Sequence, residues 1–253
     1  MKSLSIKAIK EWFFKYWIKP WAPIVMIFIF YAADVGADDN VINVPNISGN
    51  DITIKIEQVG INNTIQCYNT SSCYTDLPDG ELNLVQYNDS GTENKIEIWH
   101  LDGQDNIVRW GQGVAWSNAT SDSYSYDGTE GGGHYSRLDV HGDYNHLQGH
   151  QTNQVSTSGH TFTSLILSDN NDVWVRQQHD GGKTINLTTY ADGNDITLRQ
   201  KGSWAQHTAT ITLDGTYATT LNLLQQGTTT QSYSLSQTCY TVGGCSVSVT
   251  QGN

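Results

Sequence analysis

Basic side chains are scarce in this chain of 253 residues: 13 Lys and Arg face 25 Asp and Glu, for a formal net charge of −12. An acidic body of this kind excludes nucleic acid and anionic membrane surfaces as natural partners. Hydrophobic residues make up only 37% and charged residues 15%, so a large oily core is excluded as well. Long apolar runs are missing: the longest, Ile24 to Phe30, falls far short of the roughly 20 residues that span a bilayer, and Pro20 and Pro23 precede it. What fills the gap is 24 Gly and long tracts of Thr, Ser, Asn and Gln.

The amino terminus reads as a targeting segment. Lys2, Lys7, Lys10, Lys15 and Lys19 lead into the apolar run, and Val35-Gly36-Ala37 offers the small residues expected before a signal-peptidase cut. Residues 1–37 are therefore expected to be a signal peptide. Its removal takes away five Lys, Glu11 and Asp34, leaving 8 basic and 23 acidic residues, net −15. Export makes disulfides possible, and the four cysteines form two similar motifs, Cys67 to Cys73 and Cys239 to Cys245. Pairing within each motif is the simple connectivity. A zinc site would need a different spacing.

Internal repetition organises the rest. Asn171-Asp-Val-Trp-Val-Arg-Gln177 and Asn194-Asp-Ile-Thr-Leu-Arg-Gln200 agree at four of seven positions. Extending the template places glutamines at Gln58, Gln86, Gln112, Gln151, Gln177, Gln200, Gln225 and Gln251, at spacings of 28, 26, 39, 26, 23, 25 and 26. Before each glutamine the positions −2 and −4 are almost always apolar, from Ile56 and Ile54 to Val249 and Val247. Such alternation predicts strands with one buried face, and parity turns the glutamine and the −6 residue inward as well. That −6 residue is Asn106, Asn145, Asn171 and Asn194 in four repeats. A buried amide is costly unless bonded, and stacking it on its equivalent one strand away, about 4.8 Å, satisfies it as a ladder.

Second strands are expected between the glutamines: Asn63 to Asn69, Asn94 to His100, Tyr135 to His141, Thr161 to Leu167, Ile185 to Tyr190, Ala209 to Leu213 and Gln231 to Gln237. One such period cannot bury its own inner face, so coils must stack. The predicted fold is all-β, a β-solenoid of about eight two-strand coils. It occupies residues 49–253 behind a lead-in at 38–48, and a surface loop at about 113–133 accounts for the one long spacing.

Glu57, Glu81, Asp172 and Asp195 fall at outward positions, the last two recurring together with Arg176 and Arg199. Repetition predicts solvated surface ladders and no unique catalytic constellation, so the chain is not expected to be an enzyme. No cofactor or metal is expected. His146 and His150, four residues apart on one strand, stand about 13 Å apart, too far to share an ion. His100 and His141 are expected in one inward slot of consecutive coils, as substitutes for an amide.

The string Gly49-Asn-Asp-Ile-Thr-Ile-Lys-Ile-Glu-Gln58-Val-Gly60-Ile-Asn-Asn63 resembles a curlin repeat, the unit of the extracellular amyloid fibres of Gram-negative bacteria. Gly103 through Gln112, Gly142 through Gln151 and Asn194 through Gly202 do so too. The resemblance covers most of residues 45–253. It implies a secreted structural subunit that assembles end to end into an adhesive biofilm fibre, with itself as partner, besides a nucleator subunit and an outer-membrane exporter. It implies a location outside the cell or on the surface of a Gram-negative bacterium. The final repeat, Val249-Thr-Gln251-Gly-Asn253, carries no evident cap, and its strand edge is the expected template for the next subunit. The alternative reading is a β-solenoid that does not polymerise and binds surface glycan or serves an envelope assembly.

Overall fold

A computed structural model describes residues 28–32, 40–43, 47–48, 53–59, 63–67, 75–76, 81–87, 93–102, 107–113, 132–140, 144, 146–153, 159–167, 170, 172–179, 181–190, 195–202, 205–216, 220–240, 242 and 245–252. These residues form strands and turns. One sheet runs β1 (Phe28–Ala32), β4 (Thr53–Val59), β7 (Glu81–Tyr87), β9 (Ile107–Gln112), β11 (His146–Asn153), β13 (Asp172–His179), β15 (Asp195–Lys201), β17 (Thr220–Gln225) and β19 (Ser246–Gln251). The other runs β2 (Asn40–Asn43), β5 (Asn63–Cys67), β8 (Ile96–Asp102), β10 (Ser136–Val140), β12 (Phe162–Ile166), β14 (Lys183–Thr189), β16 (His207–Gly215) and β18 (Tyr233–Cys239). The short strands β3 (Ile47–Ser48) and β6 (Thr75–Asp76) lie off this path. From β4 to β19 the chain alternates between the sheets, and each strand pairs in parallel with its equivalent one coil away. This is a β-solenoid.

The first sheet is in register throughout. Gln58 pairs with Gln86, Gln86 with Gln112, Gln112 with Gln151, and so on to Gln225 with Gln251. The inward aliphatics expected at −2 and −4 are the core: Ile54, Ile56, Leu82, Leu84, Val108, Leu147, Val173, Val175, Ile196, Leu198, Leu221 and Leu223 are buried. They meet Ile65, Ile96, Leu138, Phe162, Ile166, Ile185, Leu187 and Ile211 from the second sheet. A narrow core of Val, Ile and Leu rungs suits the low apolar content, because the two sheets share one layer of side chains.

The core holds one size exchange. Trp110 is fully buried and stacks on Phe162, ring centroids 5.0 Å apart. Its register partner on the next coil is Gly149, where a Cβ would stand 1.9 Å from the Trp110 ring. Glycine occupies an aliphatic slot there because the indole has already filled it.

Two expectations about the fold need correction. The solenoid has about five turns of regular form, not eight coils. Near the amino terminus the second sheet is broken: β8 pairs with both β5 and β6, two fragments of one strand, and β10 meets β8 through a bulge between Leu138 and Val140. Ahead of residue 49, β1 pairs with β4 and β2 with β5. Finally, the inward parity of the second strand from Tyr135 is shifted by one residue. Ser136 and Leu138 face the core instead of Tyr135 and Arg137, and on the next strand Phe162, Ser164 and Ile166 face it. The polar residues are tolerated because they bond: Ser136 Oγ donates to Gln112 Oε1 at 2.6 Å, and Ser164 Oγ donates to the Leu138 carbonyl.

Candidate functional site: two polar columns at one corner of the solenoid

All eight template glutamines stand in one column. Each side-chain Nε2 donates to the Oε1 of the glutamine one coil before it: Gln86 to Gln58 at 2.8 Å, Gln112 to Gln86 at 2.9 Å, Gln151 to Gln112 at 2.8 Å and Gln177 to Gln151 at 2.8 Å. Gln200 to Gln177 follows at 2.9 Å, Gln225 to Gln200 at 2.8 Å and Gln251 to Gln225 at 3.4 Å. The second N–H crosses the core to a backbone carbonyl of the opposite sheet, for instance Gln86 to Lys95 at 2.8 Å, Gln177 to Thr184 at 2.9 Å and Gln225 to Ser232 at 2.8 Å. One proton of each amide therefore binds coil to coil, and the other binds sheet to sheet. From Gln58 to Gln225 these side chains are fully buried, so each bond forms out of competition with water.

Beside this ladder runs a second column, at the slot where each return strand begins. Its occupants are Asn63, Asn94, His134, His160, Lys183, His207 and Gln231. Lys183 pairs in register with His207, and the pairing of Phe162 with Ile185 carries the same alignment to His160. Asn94 Nδ2 donates to Asn63 Oδ1 at 2.9 Å, which continues the amide logic. The middle of the column is basic: His134, His160, Lys183 and His207 are all 3% exposed or less. The His134 and His160 rings lie 5.0 Å apart, and His134 Nδ1 accepts the backbone N–H of His160 at 3.2 Å. Gly113, at φ 70°, borders the slot; a Cβ there would stand 2.1 Å from the Thr152 carbonyl and 2.7 Å from His134 Nε2.

Burial governs the charge of these rings. It pushes His134 down to about 3 against the weaker pull of the Thr152 carbonyl. It holds His160 well below the ordinary imidazole value, with His134, Lys183 and His179 adding repulsion and the Gln178 carbonyl opposing. His207 is lowered chiefly by burial too, opposed by the Thr230 carbonyl, 3.0 Å from its Nδ1. At neutral pH the column holds neutral imidazoles.

Sequence reasoning missed this column. A signal was present: His160-Thr-Phe, Lys183-Thr-Ile and His207-Thr-Ala repeat a basic residue, threonine and an inward apolar residue at the start of three successive return strands. Distances from the preceding glutamine vary, from six residues at Lys183 to nine at His160, so a fixed period passes over them.

The other sequence-derived positions divide clearly. Asn106, Asn145, Asn171 and Asn194 lie outside the described residues, as do Cys73 and His141; Cys67 and His100 lie in strands, with their side chains outside the description. The bulge sets Val140 opposite Leu101, and the slot expected for His100 and His141 lies outside the description. Cys239 and Cys245 are joined, S–S 1.99 Å, across the turn between β18 and β19. On the outer side Asp172 pairs with Asp195 and Arg176 with Arg199 in register. His146 Nδ1 lies 2.9 Å from Asp172 Oδ2. His150 has outward parity, as expected, yet is buried against Trp174, ring centroids 4.7 Å apart, and burial pushes it down to about 3. Against these features no known protein family, no characterised protein and no solved structure matches the chain.

Proposed function

We propose that this chain is a secreted structural subunit that polymerises end to end into an extracellular, amyloid-like fibre of the curlin type. The carrying observation is the glutamine column, in which every coil is joined to the next by the same amide bond in the same register. A bond that repeats unchanged along the axis can be continued by an equivalent coil of another molecule as well as by the next coil of the same one. Among the described residues β19 pairs with β17, and its Val247 and Val249 are half-buried where Leu221 and Leu223, one coil earlier, are buried. A second molecule stacked there would cover them. The partners are then further copies of the chain, with a nucleator and an exporter as the resemblance implies. In the alternative reading, a surface-binding solenoid, the exposed Tyr144 and Tyr190 would contact glycan.

Seeded growth of the purified chain distinguishes the two. Fibres visible by negative stain, elongating in proportion to added seed and slowed about tenfold or more by Val249→Pro, which cannot donate to a strand ladder, are the expected result. A chain that stays monomeric at high concentration with seed present contradicts polymerisation and favours the glycan-binding reading.

A further inference from the structure

We propose that the column His134, His160, Lys183 and His207 is a built-in acid latch, which holds the central coils closed while its imidazoles are neutral and opens them when the imidazoles take up protons. The argument is geometric and independent of polymerisation. His134 Nδ1 accepts the backbone N–H of His160, so a proton on that nitrogen would set two donors face to face. Both ring nitrogens of His160, and Nε2 of His134 and of His207, are buried without a hydrogen bond of good geometry. A protonated ring needs an acceptor for each N–H; the Thr152 carbonyl serves His134 and the Gln178 carbonyl serves His160, one each, whereas His207 has the Thr230 and Gln226 carbonyls.

Among the described residues the charges along the column are of one sign. Along it, each ring meets another ring or Lys183; across the corner, β13 contributes His179. The glutamine strands β9, β11, β13, β15 and β17 present the neutral amides Gln112, Gln151, Gln177, Gln200 and Gln225. Among the described residues the nearby carboxylates are committed to the outer side of the second sheet, Glu97 with Lys95 at 2.8 Å and Asp139 with Arg137 at 3.1 Å. A proton on one ring is therefore placed one rung from another basic group, with no carboxylate among the described residues beside it.

The same slot shows how the latch can be removed. It carries Asn63, Asn94 and Gln231 in other coils, so the architecture accepts an amide there. Nature of the occupant, not space, sets the pH response.

The sign follows from linkage. The folded rings resist protonation while the unfolded rings titrate near 6.5, so their contribution to stability is complete above that pH and is lost as pH falls below it. Each ring that stays neutral in the fold raises the unfolding constant about thirty-fold between pH 7.5 and 5. His134, pushed down to about 3, accounts for one such factor, and His160 and His207 add to it. The outer-face His150 contributes in any variant that retains it.

The test compares urea unfolding of the freshly dissolved chain at pH 7.5 and pH 5 with that of the variant His134→Asn/His160→Asn/His207→Gln. The wild-type unfolding constant should rise at least about thirty-fold more than that of the variant. Parallel changes in both proteins would overturn the latch. Should the triple variant not fold, imidazole titration of the wild type by NMR decides. Column rings that remain neutral in the folded protein down to pH 5, with folded signals lost together below it, support the latch; rings that titrate near 6.5 in an intact fold refute it.

Discussion

The two columns at the corner of the solenoid occupy neighbouring slots and differ in one property, self-complementarity. A primary amide is both donor and acceptor, so a glutamine can bind the glutamine before it and the glutamine after it in the same geometry, from Gln58 to Gln251. An imidazole has one donor and one acceptor when neutral and two donors when charged, and an ammonium has donors only. The basic column cannot repeat one bond along the axis, and its members bond instead to backbone groups such as the His160 N–H and the Thr230 carbonyl. The first column suits indefinite continuation, whereas the second makes the central coils particular to this chain and sensitive to acid.

The comparison is broken most severely by disturbing the core that holds both columns. Gly149→Val places a branched side chain in space already held by the Trp110 ring and should cost about 3 kcal/mol or more in denaturant unfolding. Adding Trp110→Val should recover part of that loss; a double variant no better than the single one would show that the two sites do not exchange volume.

The next effect sharpens the difference between the middle of the ladder and its end. Gln151→Ala removes a buried amide bonded to Gln112, to Gln177 and to the Thr161 carbonyl, at a cost of about 3 kcal/mol. Gln251→Ala removes one long, part-buried bond and should cost less than about 1 kcal/mol in the monomer. Equal losses at the two positions would mean that stacking between neighbours on both sides contributes nothing. Reduction of the Cys239–Cys245 bridge, which closes a small loop, should lower stability by about 2 kcal/mol, as a shift in thermal midpoint with and without reductant would record. The smallest effect belongs to the outer face: Asp172→Asn, which loses a partner for His146, should change stability by less than about 0.5 kcal/mol.

The legibility of the fold followed the same division. The glutamine strands were readable because each ends in the same residue and alternates strictly, Ile54 and Ile56 before Gln58, Ile196 and Leu198 before Gln200. The return strands were less so. Tyr135 and Thr161 looked as fit for the interior as Ser136 and Phe162, and the deciding contacts, Ser136 with Gln112 and Ser164 with the Leu138 carbonyl, come from other coils. Variable turn lengths concealed the basic column, whose members are related by stacking and not by a constant sequence interval. The number of regular coils was overestimated because eight glutamine strands do not guarantee eight unbroken return strands, and β5 and β6 share one.

The central claim, that glutamine amides facing inward join the coils, is tested most directly by comparing Gln200→Ala with Thr197→Ala on the same strand. Gln200 bonds to Gln177 at 2.9 Å, to Gln225 at 2.8 Å and to the Thr208 carbonyl at 3.1 Å, whereas Thr197 stands at an outward position between Trp174 and Asn222. Urea unfolding should show a loss of about 3 kcal/mol for Gln200→Ala and less than about 0.5 kcal/mol for Thr197→Ala. Equal losses, or a larger one at Thr197, would contradict the ladder.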